Sequence, residues 1–195
     1  MKKLILLFSL FSCNPYRAID ETKFSHPIPK TFVKGTDQNI TFKNDTVYFN
    51  NQKYSGFIFE LQSNNLDTLY IKGYYEGLQG GLSKIWNEKH TLIEVRSYIN
   101  GKKNGKQTAF WDNGNKKFEF VAYQDAYEGE MKEWKSDGQL IHLANYKDGQ
   151  EEGIQKLWYD DGKIRANFVI LKGKRYGLLG TKNCKNVSDS IFIVK

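Results

Sequence analysis

Tyr98-Ile-Asn-Gly101-Lys-Lys-Asn-Gly105-Lys-Gln-Thr-Ala-Phe110-Trp111-Asp-Asn-Gly114 decides the fold, because its landmarks return at Tyr146, Gly149, Gly153, Trp158, Tyr159 and Gly162. The step is 24 residues: Gly81, Gly105, Gly129, Gly153 and Gly177 are evenly spaced by it. A second glycine series, Gly77, Gly101, Gly149 and Gly173, leads the first by four positions and is interrupted at Asp125. Gly114, Gly138 and Gly162 follow nine positions behind. Trp86, Phe110, Trp134 and Trp158 form an aromatic column in the same register, and Tyr74, Tyr98 and Tyr146 form another. Several columns in one register at such a period indicate a repeat architecture.

Each unit reads as two strands. Gly105 to Trp111 is the first, Asp112-Asn-Gly-Asn115 turns, and Lys116 to Tyr123 is the second. Ser136-Asp-Gly-Gln139 and Asp160-Asp-Gly-Lys163 are equivalent turns. Asp or Asn before Gly, between alternating segments, signals a hairpin because Gly takes a positive φ readily. A further turn lies between units, at Asn100-Gly101-Lys-Lys-Asn-Gly105. Strands joined this briefly at both ends must pair antiparallel, since a parallel crossover needs a dozen or more residues. An even period keeps each column on one face. The expectation is all-β: an elongated, twisted antiparallel β-meander of tandem 24-residue hairpin repeats.

Composition agrees. Seventeen Gly against three Pro, with 15% aromatic residues, favours strands and tight turns. No sustained helical spacing of apolar residues occurs. Residues 47–71 read as a degenerate first copy, with Gly56-Phe-Ile-Phe59 and Leu69-Tyr-Ile71 as its strands. Ile40 to Phe49 reads as a hairpin turning at Asn44-Asp45, and Ser190 to Val194 as a closing strand.

The N-terminus reads as an address. Met1-Lys2-Lys3 precedes the apolar run Leu4 to Phe11, which is too short to span a bilayer as a helix. It has the proportions of a secretory signal. Leu10-Phe11-Ser12-Cys13 resembles the bacterial lipobox, which implies lipidation at Cys13. Residues 1–12 are then a signal peptide, 13–38 a tether containing Pro15, Pro27 and Pro29, and 39–195 the repeat array with its capping strands. With Cys13 acylated, Cys184 has no partner and no disulfide framework exists. Asn14, in place of an acidic residue after the Cys, leans the expected location toward the outer rather than the inner membrane.

The formal charge is +7; without Lys2 and Lys3 it is 27 basic against 22 acidic residues, or +5. Lys and Glu alternate and no dense basic run appears, so no nucleic-acid partner is expected.

The pattern Tyr98-x-x-Gly101-x-x-x-Gly105-x-x-x-x-Phe110-Trp111-x-x-Gly114, repeated from Tyr146 to Gly162, resembles bacterial MORN-repeat-variant proteins over about residues 47–180. The spacing exceeds that family's common 23-residue unit by one. The resemblance implies an elongated sheet of hairpins used for interaction or membrane association. Many bacterial relatives carry an antitoxin label.

No catalytic constellation emerges. His26, His90 and His142 are scattered without metal-ligand spacing, and no nucleophile has an evident base. Neither enzyme activity nor a cofactor or metal is expected. Trp86, Phe110, Trp134 and Trp158 are expected to form the array's core by ring packing. Trp111 and Tyr159, pointing the other way, are the candidate exposed binding aromatics. The leading expectation is an envelope-anchored interaction or scaffold module, with another envelope protein or a surface glycan as partner and the membrane reached through the lipid. The alternatives are a carbohydrate- or lipid-headgroup-binding module and an antitoxin- or immunity-like protein.

Overall fold

Two kinds of turn, alternating along the chain, generate the architecture. Between units, Asn100 and Gly101 take φ of 50° and 81°, and Asp148 and Gly149 take 50° and 81°. Positive φ at both central residues is the mirror-image turn whose twist suits a hairpin. Gln124 and Asp125 make the same turn at 48° and 72° without glycine. Within units, Trp111 N–H donates to the Asn115 carbonyl at 2.8 Å and Gly114 N–H to the Trp111 carbonyl at 2.8 Å. Gly114 has φ 84°. This is a three-residue loop closed by a left-handed glycine, and a register shift between Ala109 and Phe110 accompanies it.

A computed structural model describes residues 27–180. The order of elements is β1 (Phe32–Lys34), β2 (Ile40–Lys43), β3 (Thr46–Phe49), β4 (Gln52–Lys53), β5 (Gly56–Leu61) and β6 (Thr68–Tyr75). Then come β7 (Leu78–Gln79), β8 (Gly81–Trp86), β9 (Leu92–Ile99), β10 (Lys102–Lys103), β11 (Gly105–Phe110) and β12 (Lys116–Tyr123). The last six are β13 (Ala126–Trp134), β14 (Leu140–Lys147), β15 (Gln150–Glu151), β16 (Gly153–Trp158), β17 (Ile164–Leu171) and β18 (Lys174–Leu178). The fold is all-β: one long, mostly antiparallel sheet of consecutive hairpins, not closed into a barrel. Its path is β1-β5-β6-β8-β9-β11-β12-β13-β14-β16-β17-β18, and β2, β3 and β4 form a separate three-stranded sheet. The signal segment 1–12, Cys13, Cys184 and the expected closing strand Ser190–Val194 lie outside the described residues.

The degenerate first copy falls where its residues place it, in β5 and β6. The Asn44-Asp45 hairpin also forms, with both residues at positive φ. One element departs from the antiparallel expectation. β1 pairs parallel with β5, Val33 opposite Ile58, inside the segment expected to be a tether. The geometry is allowed because residues 35–55 make a long crossover, occupied by the small sheet.

Register assigns the faces. Gln107 lies opposite Phe120 and Ala109 opposite Phe118. Met131 faces Ala144 and Glu133 faces His142; Gln155 faces Phe168 and Leu157 faces Ala166. These residues share one side, the core face. Its buried clusters are Phe120, Ala122, Met131 and Ala144, then Ala166, Phe168 and Ile170. At the N-terminal end Val47 of the small sheet packs with Tyr54, Ile58 and Tyr74.

On the core face the column Ser83, Gln107, Met131, Gln155 is buried throughout, although three of its four members are polar. Gln107 Nε2 donates to the Ser97 carbonyl at 2.9 Å and the Gly105 carbonyl at 3.1 Å. Gln155 Nε2 donates to the Asn145 carbonyl at 2.9 Å. Both side chains stand two residues after a positive-φ glycine that separates a short strand from a longer one. Each amide adds a second donor to a carbonyl that also accepts a backbone N–H, from Asn104 on Ser97 and from Glu152 on Asn145. Met131 holds the same position in β13, which runs through Gly129 unbroken.

The copies are also tied turn to turn. Gly101 N–H donates to the Gln79 carbonyl at 2.7 Å, Asp125 N–H to Lys103 at 3.0 Å, and Gly149 N–H to Tyr127 at 2.9 Å. Asp125 adds a second link, its Oδ1 accepting the Lys103 N–H at 2.8 Å. A carboxylate anchored to the preceding copy explains how this turn dispenses with glycine.

Candidate binding face

The column Trp86, Phe110, Trp134 and Trp158 occupies the side opposite the core face, and all four rings are half-buried. The expected ring-on-ring core is therefore not built from it. Trp86 stacks on His90 at 6.1 Å, and Lys116 Nζ lies 5.6 Å from the Trp134 ring centre. Lys116 also contacts Glu119 at 2.7 Å, and Lys106 contacts the same carboxylate at 3.1 Å. Burial raises the Glu119 pKa, but these two lysines outweigh it and hold the carboxyl below its ordinary range. This side is a polar surface laid over a tryptophan row.

The two candidate binding aromatics fare differently. Trp111 Nε1 donates to the Trp134 carbonyl at 3.0 Å, and Lys117 Nζ covers its ring at 4.5 Å. Trp111 is thus a link between copies. Tyr159 remains 41% exposed and stands at the rim of a cleft on the core face. Cys13 lies outside the described residues.

The core face carries the ring contacts. Phe118 and Phe120 are 5.9 Å apart, Phe120 and Tyr127 4.4 Å, and Tyr127 and Tyr146 4.9 Å. The Arg96 guanidinium covers Phe118 at 4.8 Å while holding Glu94 at 3.0 Å. Further along, His142 Nδ1 lies 3.3 Å from Glu133, and Arg175 lies 3.3 Å from Glu151. Arg175 also covers Phe168 at 5.4 Å. Rings and ion pairs thus alternate along this side. Burial pushes the Tyr74 hydroxyl up to about 12, with Tyr70 and Tyr98 adding to it. Burial likewise raises Tyr98 and Tyr146.

At the C-terminal end this face opens into a cleft of about 440 Å³. Its floor is Gln155, Ala166 and Phe168, and its rim includes His142, Tyr159 and Arg165. The volume is within the range of small-ligand sites, roughly 300–1,000 Å³. Sequence reasoning found Tyr159 but missed the rest of the cleft. Its signal was the loss of rings from the columns: Phe118 gives way to His142 and Ala166, and Tyr127 to Glu151 and Arg175. Among the described residues no group of three His, Cys, Asp or Glu side chains is placed to hold a metal.

In comparisons with known proteins, the chain matches no protein-family model and no curated protein.

Proposed function

We propose that the chain is a non-enzymatic interaction module of the MORN-like repeat type, held at the cell envelope by a lipid on Cys13. Its core face would meet another envelope component. The observation that carries this is the series of rings and paired charged side chains along the core face, Phe118, Phe120, Tyr127 and Tyr146 among them, with Arg96 over Phe118 and Arg175 over Phe168. One open sheet side of this kind offers an extended partner many weak, spaced contacts.

The test is crosslinking in intact envelopes followed by purification of the full chain. A defined protein should be recovered, and recovery should fall when Arg96 and Tyr127 are both replaced by alanine. Recovery undiminished by that pair would refute the core face as the docking side. Separately, Cys13→Ser should release the chain from membranes; unchanged membrane association would refute the anchor.

A second reading, a carbohydrate- or lipid-headgroup-binding module, is favoured by the exposure of Tyr159 at the cleft rim. Glycan or vesicle binding abolished by Tyr159→Ala, with the fold retained, would support it. Trp111→Ala should instead act on stability, because the indole bridges two copies.

A further inference from the structure

The cleft is a gap in a face that is otherwise filled by rings. Three columns show how it arises. Phe118 is followed at the repeat interval by His142 and then Ala166; Phe120 by Ala144 and then Phe168; Tyr127 by Glu151 and then Arg175. Where Phe120 and Tyr127 pack at 4.4 Å, the next copy places an alanine and a carboxylate. Phe168 then returns as a ring in the floor, under the Arg175 guanidinium. Two copies earlier in the array, Arg96 covers Phe118 in the same manner. The chain's own packing therefore shows what this space accepts: a flat ring, lying beside a guanidinium.

Charge narrows the class. Glu151 is held by Arg175 at 3.3 Å, and His142 lies against Glu133 at 3.3 Å. Arg165, on the cleft wall, has no carboxylate within ion-pair distance among the described residues. A guanidinium with no carboxylate partner among the described residues, at the mouth of a ring-sized gap, matches the planar, two-point geometry of a carboxylate. We propose that this cleft is a binding site for an aromatic ring carrying a carboxylate, the ring resting against Phe168 and Tyr159 and the carboxylate meeting Arg165. The ligand would be a small aromatic acid or the C-terminal aromatic residue of a polypeptide. This rests on the reading of the core face as a docking side and gives that side a specific subsite.

The experiment titrates the full chain, followed by amide NMR shifts, with three probes. These are 3-phenylpropionate, an acetylated tetrapeptide ending in phenylalanine with a free carboxylate, and the same tetrapeptide amidated. Concentrations reach about 10 mM, which reports dissociation constants into the millimolar range. Saturable shifts are expected at Gln155, Ala166 and Phe168. If both free acids bind equally, the ring and carboxylate suffice. If only the tetrapeptide binds, the source is a chain terminus, and if only phenylpropionate binds, it is a small acid. The amidated peptide should bind at least about tenfold more weakly, as should the free acids to Arg165→Gln, since a hydrogen-bonded charge is lost in each case. His142→Phe restores the ring found at Phe118 and should close the site while leaving the sheet intact. No saturable shift with either acid, equal binding of the amide, or binding unchanged by Arg165→Gln would each overturn the proposal. An envelope partner still captured by His142→Phe would remove the cleft from the interface and leave the interaction module standing.

Discussion

Replacing Asp125 by alanine removes the acceptor for the Lys103 N–H, a 2.8 Å bond between adjacent copies. It also leaves a residue with an ordinary Cβ at φ 72°. A solvent-exposed hydrogen bond of this kind contributes about 0.5–1.5 kcal/mol. The left-handed conformation costs an alanine about 1–2 kcal/mol, and aspartate less, because its short polar side chain bonds locally. The two effects together predict a loss of about 2 kcal/mol for Asp125→Ala. Asp125→Gly loses the same bond but removes the backbone penalty, so it should lie within about 0.5 kcal/mol of the parent. Asp125→Asn keeps an acceptor oxygen in place and should be as neutral. Urea titrations followed by tryptophan fluorescence measure all three, with thermal midpoints as a check. At about 2–4 °C per kcal/mol for a body of this size, the alanine variant should melt about 4–8 °C lower. Equal stability of the alanine and glycine variants would refute the backbone half of the argument. A glycine variant clearly more stable than the parent would refute the compensating role of the carboxylate.

Two further outcomes follow from the core face. Because Tyr74 titrates near 12 in the fold and near 10 when unfolded, the folded chain holds its proton more tightly. Stability is then full below pH 10 and falls as pH rises toward about 12, by about 2–3 kcal/mol from this group. Tyr74→Phe should flatten that fall in urea titrations at pH 9 to 12, and an unchanged slope would show that other groups cause it. Ala144 is fully buried between strands. Ala144→Leu should therefore overpack the cluster with Phe120 and Met131 and lose about 1–3 kcal/mol by thermal melting. A neutral result would mean that this part of the sheet has unfilled space.

The period, the hairpins and the turn positions were legible because glycine and Asp-Gly or Asn-Gly pairs report backbone conformation directly. Even Asp125, the one irregularity in its column, takes the conformation that its neighbours' glycines imply. The side carrying the core was not legible. Trp86, Phe110, Trp134 and Trp158 are the largest side chains in register, so they attract the assignment. The buried columns instead mix glutamine, alanine, methionine and phenylalanine. Gln107 and Gln155 are inside because their amides reach the Ser97 and Asn145 carbonyls across the strand pair, contacts visible only once the strands are paired. β1 was hidden for a related reason. Phe32-Val-Lys34 lies among tether-like residues, and its partner β5 lies beyond a separate small sheet. The cleft escaped notice because it is defined by rings that are missing from a column.

The length of the sheet also sets a distance. β1, where residue 32 enters the sheet, is at one extremity, and the cleft lies among β14, β16, β17 and β18 at the other. About ten strand spacings of roughly 4.8 Å separate them, or about 48 Å along the sheet before twist shortens it. Every repeat inserted or removed would shift the cleft by about 10 Å relative to the N-terminal segment, without altering a single group that lines it. Copy number in such a chain is a ruler, and reach can change independently of what the far end recognises.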